Sequence, residues 1–153
     1  MTAGSTSTTV NLTTLQDTLD ETNETFSVTL SSPSANATIS DATALITITD
    51  DDNPPVVSIN APAATAEGNQ ITFTVSLTTA SGLPVTVTYV TSGGTAISGT
   101  DYTSANGVAT IASGTTSTTI AISTTDDTLD ENNGENFIIT LSSPTNASLG
   151  TSI

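Results

Sequence analysis

The chain has 153 residues, among them 15 acidic side chains and no lysine, arginine or histidine, so its formal charge is −15. A chain without cationic side chains cannot neutralise phosphates or dock on an anionic lipid surface, which argues against nucleic acid or membrane insertion. The absence of cysteine and histidine also removes thiol nucleophiles, imidazole bases and soft zinc ligands. The inventory excludes most enzyme chemistries, and we expect a non-enzymatic protein.

Segments in which β-branched and polar residues alternate, separated by Gly, Pro and Asn turns, predict strands along the whole chain. Within residues 71–77, for example, apolar side chains occupy one face and hydroxyls the other, as in a sheet with one buried face. No window has a helical period. The predicted strands lie at 7–15, 25–31, 43–50, 56–60, 70–79, 84–91, 107–112, 117–124 and 136–142. This spacing predicts an all-β fold, an antiparallel β-sandwich.

An internal repeat of about 110 residues organises the chain. Residues 4–10 match 114–120, and Asp17–Glu21 matches Asp127–Glu131 at the same separation. The repeat predicts that residues 1–52 are the last three strands of one domain and that residues 53–55 are a short proline linker. Residues 56–153 are then predicted to be a second domain that lacks its final strand.

Both incomplete domains would leave sheet edges unpaired, which β proteins rarely tolerate. Two explanations stay open. In the first, the chain is one part of a longer tandem array with flanking repeats. In the second, identical subunits complete each other by strand addition, also called donor-strand complementation. Residues 43–49 would then add to the open C-terminal edge of a neighbour.

The acidic residues, apart from Asp41, are clustered where no cation of the chain can neutralise them. Adjacent carboxylates repel one another by on the order of 1 kcal/mol per pair even in a water-like dielectric. A hard divalent cation removes this cost, and Ca²⁺ accepts six to eight oxygen ligands in flexible geometry. The clusters therefore favour calcium binding, with a purely solubilising role as the alternative.

Four segments of the chain together resemble the Calx-beta repeat. They are Asp126–Ser142, Gly99–Tyr102, Ala66–Gly68 and Asp50–Asp52. The family includes calcium-sensing domains of sodium–calcium exchangers and tandem arrays in bacterial surface and adhesin-like proteins. The resemblance covers essentially the whole chain. It implies an immunoglobulin-like sandwich of seven strands with calcium bound among the loops at one end.

The resemblance also implies a set of metal ligands in each repeat. In the second repeat they are Glu67, Asp101, Asp126, Asp127, Asp130 and Glu135, with a further Asp triplet expected from its final strand. In the first repeat they are Asp17, Asp20, Glu24, Asp50, Asp51 and Asp52, with Gln16 in place of one acid. Glu21 and Glu131 are added to these sets on proximity alone.

These inferences combine into one functional expectation. The chain is expected to be a calcium-binding structural repeat of an extracellular or cell-surface filament or adhesin. Calcium beside Asp50–Asp52 would stiffen the junction, since the prolines of residues 53–55 restrict the backbone. Two alternatives stay open: a calcium-sensing regulatory domain, and a carbohydrate- or ice-binding module, which the alternating threonines of 85–91 and 116–124 would suit.

Overall fold

The computed structural model describes Met1, residues 4–128 and residues 134–150. The chain divides into two units, of which unit 1 comprises Met1–Thr18 and Asn23–Asp50 and unit 2 comprises Leu19–Thr22 and Asp51–Ile153. All regular secondary structure in the described residues is β-strand, which confirms the predicted all-β class. In the same residues, no helix is long and apolar enough to cross a lipid bilayer.

Unit 1 contains one two-stranded antiparallel sheet. Strand β1 is Glu24–Thr29 and β2 is Thr43–Ile48, and Phe26 lies opposite Ile46 in their register. None of the described residues of unit 1 is buried. An isolated two-stranded sheet is marginally stable in water, so unit 1 has little core of its own to stabilise it.

Unit 2 is a sandwich of two sheets. Its strands are β3 (Val56–Ile59), β4 (Gln70–Leu77), β5 (Val85–Gly93), β6 (Asn106–Ile111), β7 (Ser117–Ser123), β8 (Phe137–Thr145) and β9 (Ser148–Leu149). One sheet has the order β7-β4-β3-β9 and the other the order β6-β5-β8. All neighbouring strands are antiparallel except β3 and β9, which are parallel.

The core of unit 2 lies between these sheets and follows from period-2 alternation. On β4 the side chains of Phe73, Val75 and Leu77 are buried, whereas the alternating hydroxyl residues are more exposed. The facing sheet contributes Val85 and Val87 of β5 in the same manner. Each such side chain stabilises the fold by about 1.5–3 kcal/mol through removal from water. The predicted sandwich is therefore confirmed.

The predicted strand over residues 7–15 is wrong, because the structure forms no strand there and leaves these side chains exposed. The repeat makes residues 7–13 equivalent to β7, which pairs with β4 in unit 2. In the described part of the chain, no strand pairs with residues 7–15. The segment has the composition of a strand, but composition alone supplies no partner for its backbone hydrogen bonds. The short strand β9 was not predicted.

The internal repeat is visible in the backbone. Ser32 follows β1 and Ser143 lies late in β8, and each precedes a proline at the equivalent place of its repeat. Both residues have left-handed backbones, with φ of 50° and 49°. A positive φ is uncommon outside glycine, so its recurrence shows that β1 and β8 are equivalent strands.

Candidate metal site

Three loops of unit 2 meet at the end of the sandwich where β4 begins. The loop before β4 is joined to the loop after β7 by hydrogen bonds between Asn69 and Thr124, in which the Thr124 hydroxyl donates to the Asn69 carbonyl at 2.7 Å. The Asn69 amide donates back to that hydroxyl at 3.1 Å. The Thr125 amide donates to the Asp101 carbonyl at 2.9 Å, which adds the loop between β5 and β6. We call this region, with Glu67, Asp101, Asp126 and Glu135, the acidic end.

Asp101 is held by its own loop and by the core. Its Oδ2 accepts a hydrogen bond from the Ile97 amide at 2.6 Å, and its amide donates to the Ile97 carbonyl at 2.9 Å. The next residue, Tyr102, is only 1% exposed, and its ring stacks on Phe137 with centroids 4.3 Å apart. The carboxylate is therefore fixed at the rim while the adjacent ring anchors the loop in the core.

Glu67 and Asp126 are brought together by a close approach of their loops. Gly68 has φ of +74°, and a Cβ at that position would lie 2.9 Å from Cβ of Asp126. Only glycine fits both the left-handed backbone and the space. The local structure therefore requires the glycine of the Ala66-Glu67-Gly68 element.

Glu135 completes the acidic end from the segment before β8. The neighbouring Asn136 amide donates to the Thr95 hydroxyl at 2.9 Å, and the Asn136 carbonyl accepts from the Ala96 amide at 2.9 Å. Partial desolvation, a hydrogen bond to the Asp101 carboxyl and the charges of Asp101 and Glu67 together raise the pKa of Glu135. The hydrogen bond and the like charges act on Glu135 because these carboxyl groups lie close together.

The structure does not gather every predicted ligand of the second repeat. Asp127 lies exposed on the loop after β7, and Asp130 and Glu131 lie outside the described residues. In the part of the chain that the structure describes, no three carboxylates converge closely enough to hold a metal ion. The acidic end is thus a cluster of oxygen donors on three connected loops. Such donors are of the type that calcium prefers.

The implied ligands of the first repeat are divided between the units. Asp17 and Glu24 are exposed residues of unit 1, and the Asp50 amide in that unit donates to Asn23 Oδ1 at 3.0 Å. Asp20, Glu21, Asp51 and Asp52 belong to unit 2. The Asp20 carbonyl there accepts hydrogen bonds from the Gly82 amide and the Ser81 hydroxyl. The Glu21 side chain lies against Gly82.

The residues that organise the acidic end are not those that the sequence analysis emphasised. Tyr102 anchors the Asp101 loop, and Asn69 and Thr124 tie two loops together. The Gly68-Asn69 turn was the only sequence signal for this link. Its partner is 55 residues away, so spacing alone could not identify it.

Comparisons with known proteins agree with this architecture. The model of the Calx-beta domain family matches residues 2–52 and 50–151. The crystal structure of an apo-form Calx CBD1 domain is 26% identical with a TM-score of 0.50, over 54% of this chain and 73% of that chain. A structure of CBD12 from CALX1.2 is 24% identical with a TM-score of 0.56, over 62% of this chain and 40% of that chain.

A third structure, the calcium binding domain CBD12 of CALX1.1, is 28% identical with a TM-score of 0.47, over 50% of this chain and 32% of that chain. A comparison with curated protein sequences gives no match. The family model spans nearly the whole chain in two consecutive matches, one for each copy of the repeat. The chain belongs to the Calx-beta domain family.

Proposed function

We propose that this chain is a non-enzymatic calcium-binding repeat that holds Ca²⁺ at the acidic end of unit 2. The observation that carries the proposal is the contact between the carboxyl groups of Asp101 and Glu135, with the charge of Glu67 nearby. The chain has no lysine, arginine or histidine to neutralise them. A bound cation would supply the missing positive charge.

The loops of the acidic end explain how such binding would act on the fold. Glu67, Asp101 and Asp126 come from three different loops, and the backbones of these loops are already joined through Thr124 and Thr125. Without a cation the carboxylates of these loops repel one another. With a shared cation, each carboxylate is attracted to the same positive charge. The loops would then resist separation, and unit 2 would unfold at higher temperature.

Membership of the Calx-beta domain family, whose model matches residues 2–52 and 50–151, supports the choice of metal. The apo-form Calx CBD1 domain, at 26% identity, has a fold similar to that of this chain. Oxygen-only donors with several loops contributing suit Ca²⁺ better than Mg²⁺, which demands stricter geometry.

We further propose an extracellular or cell-surface location, in a filament or adhesin. The absence of lysine and arginine leaves no cleavage site for trypsin-like proteases. This property and the formal charge of −15 suit a protein exposed to an outside medium. Extracellular calcium modules bind with dissociation constants of about 10⁻⁴–10⁻³ M. A repeat that works there needs only weak affinity to remain loaded.

Isothermal titration calorimetry of the full chain tests calcium binding. We expect the substitution Asp101→Asn to weaken binding by about tenfold or more, equivalent to about 1.4 kcal/mol. The matched control is Asp41→Asn, which makes the same change in unit 1, apart from the acidic clusters. No heat of calcium binding by the unaltered chain, or equal affinities for both variants, would contradict the proposal.

The same titration separates a structural role from calcium sensing, the alternative that the sequence analysis left open. A sensor would bind in the range of about 10⁻⁷–10⁻⁵ M, well below the range of extracellular modules. Far-ultraviolet circular dichroism recorded during the titration would show whether binding changes the conformation. We expect weak binding with little change.

A further inference from the structure

One short segment after strand β5, residues 95–97, is hydrogen-bonded to both sides of the acidic end. Its first two residues bond to the backbone of Asn136, which directly follows Glu135. Its last residue, Ile97, bonds to Asp101. The two carboxyl groups whose contact carries the proposed function are therefore held by three consecutive residues of one loop.

Thr95 acts on Glu135 through the peptide group between Glu135 and Asn136. The Asn136 amide donates to the Thr95 hydroxyl at 2.9 Å, and the Asn136 carbonyl accepts from the Ala96 amide at 2.9 Å. A peptide group is planar and includes the Cα atoms of both of its residues. A hydrogen bond that fixes the Asn136 amide therefore also fixes the plane in which Cα of Glu135 lies, and with it the base of the Glu135 side chain.

The loop approaches Asn136 too closely for a side chain at Gly94. A Cβ atom at Gly94 would lie 2.6 Å from the Asn136 carbonyl oxygen, well inside ordinary van der Waals separation. Gly94 does not have a left-handed backbone, so this contact is the reason for its glycine. The preceding Gly93 has more room, since a Cβ there would meet only the Ala96 carbonyl oxygen at 3.5 Å.

Asp101 is oriented by the other end of the same segment. Its Oδ2 accepts a hydrogen bond from the Ile97 amide at 2.6 Å, and its amide donates to the Ile97 carbonyl at 2.9 Å. Ala96, between Thr95 and Ile97, is 7% exposed and belongs to the core of unit 2. The segment is thus anchored at its centre, and it sets the position of Asp101 on one side and of Glu135 on the other.

We propose that the Thr95 hydroxyl is a positioning group for calcium, which holds Glu135 beside Asp101 so that their carboxylates share one cation. Thr95 carries no charge, and it acts through Glu135 rather than as the source of the attraction. The inference rests on the proposed function, because it concerns the same site. A cation that binds to groups already in place loses less free energy to ordering them.

Loss of the Thr95 hydroxyl should affect the calcium-free and calcium-bound states differently. Without calcium, Glu135 is free to move away from Asp101, and the relief of their repulsion offsets the lost hydrogen bond. With calcium, Glu135 has to be brought back and ordered, so binding is weakened. A hydroxyl with a purely structural role would give the reverse result, a lower calcium-free stability with an unchanged calcium affinity.

Isothermal titration calorimetry of the full chain with calcium chloride tests the role of the hydroxyl. Thr95→Val keeps the shape of the side chain, and we expect its affinity to fall by about threefold to tenfold. Thr95→Ser restores the hydroxyl and should bind within about twofold of the parent chain. The matched control is Thr115→Val, which removes a hydroxyl that donates to the Ala112 carbonyl in the turn between β6 and β7. Thr95 and Thr115 are both exposed, so the variants should fold like the parent chain.

A second pair of variants tests the contact with Asn136 without removing a hydroxyl. Gly94→Ala has to displace Asn136, whereas Gly93→Ala, one residue away, meets only an ordinary contact. We expect Gly94→Ala to weaken calcium binding by about fivefold or more. Gly93→Ala should bind like the parent chain, and an equal loss of affinity in both variants would overturn the role of this contact.

Urea denaturation in the presence of a chelator completes the test. We expect Thr95→Val and Thr95→Ser to have similar denaturation midpoints without calcium. An unchanged affinity of Thr95→Val, or an equal loss of affinity in Thr115→Val, would overturn the positioning role and leave calcium binding standing. Failure of Thr95→Ser to restore the affinity would also overturn it. The absence of any binding heat from the unaltered chain would refute the proposed function, and the positioning role with it.

Discussion

Replacement of Tyr102 by alanine should strongly destabilise unit 2, because this residue joins the acidic end to the core. Its side chain is 1% exposed and stacks on Phe137 with an interplanar angle of 12°. Phe137 in turn meets Phe73 edge-on, with centroids 5.9 Å apart. Loss of Tyr102 therefore removes one member of an aromatic cluster that spans both sheets.

The expected loss is about 3–5 kcal/mol of unfolding free energy, the range found when large buried aromatic side chains are truncated to alanine. Of this, about 0.5–1.5 kcal/mol belongs to the ring pair beyond its buried area. Domains of this size have a total stability of about 5–15 kcal/mol. The variant should thus lose a large part of its stability, and the Asp101 loop should lose its anchor.

Urea denaturation followed by far-ultraviolet circular dichroism, with calcium removed, measures this loss. The matched control is Tyr89→Ala, which removes the same atoms from a partly buried position at the edge of the core. We expect the control to lose clearly less stability. A loss below about 1 kcal/mol for Tyr102→Ala, typical of surface positions, would refute the anchoring role.

Four further variants test local features of unit 2. Gly68→Ala and Gly114→Ala both place alanine at φ of +74°, which costs about 1–2 kcal/mol. Only the former also meets a side chain, so its melting temperature should fall further, and equal decreases would refute the close approach. Ser81→Ala should cost about 1–3 kcal/mol, because the buried hydroxyl accepts a backbone hydrogen bond; a loss near zero in urea denaturation would contradict this. The raised pKa of Glu135 means that the folded state binds more protons than the unfolded state just above the ordinary pKa of 4.5, so stability without calcium should decline as pH rises there. Glu135→Gln should flatten this slope, and an unchanged slope would argue against the contact with Asp101.

The strands of unit 2 could be predicted from the sequence because burial imposes alternation on them. The strand predicted at 70–79 is Gln70–Leu77 in the structure, and the strand predicted at 117–124 is Ser117–Ser123. Residues 7–15 alternate in the same manner and yet form no strand. An alternating pattern indicates that a segment is able to form a strand. The strand forms only where a neighbouring strand pairs with it.

The acidic end was only partly predictable. The clustering of acids and the resemblance to Calx-beta repeats pointed to Glu67, Asp101, Asp126 and Glu135, and the structure places these residues on connected loops. The stacking of Tyr102 on Phe137 is a contact between distant parts of the chain. Local sequence patterns carry no information on such contacts, so the anchor of the site emerged only from the fold.

Backbone amide chemical shifts recorded by NMR during a calcium titration would test the central claim most directly. We predict that calcium shifts the amides of residues 66–69, 99–102, 124–127 and 134–136 together, with a single affinity, while an equal concentration of magnesium has a much smaller effect. The exposed acid Asp41 of unit 1, which lies apart from the acidic clusters, serves as an internal control in the same spectra. Shifts spread evenly over all acidic residues, or equal responses to the two metals, would contradict a calcium site at the acidic end.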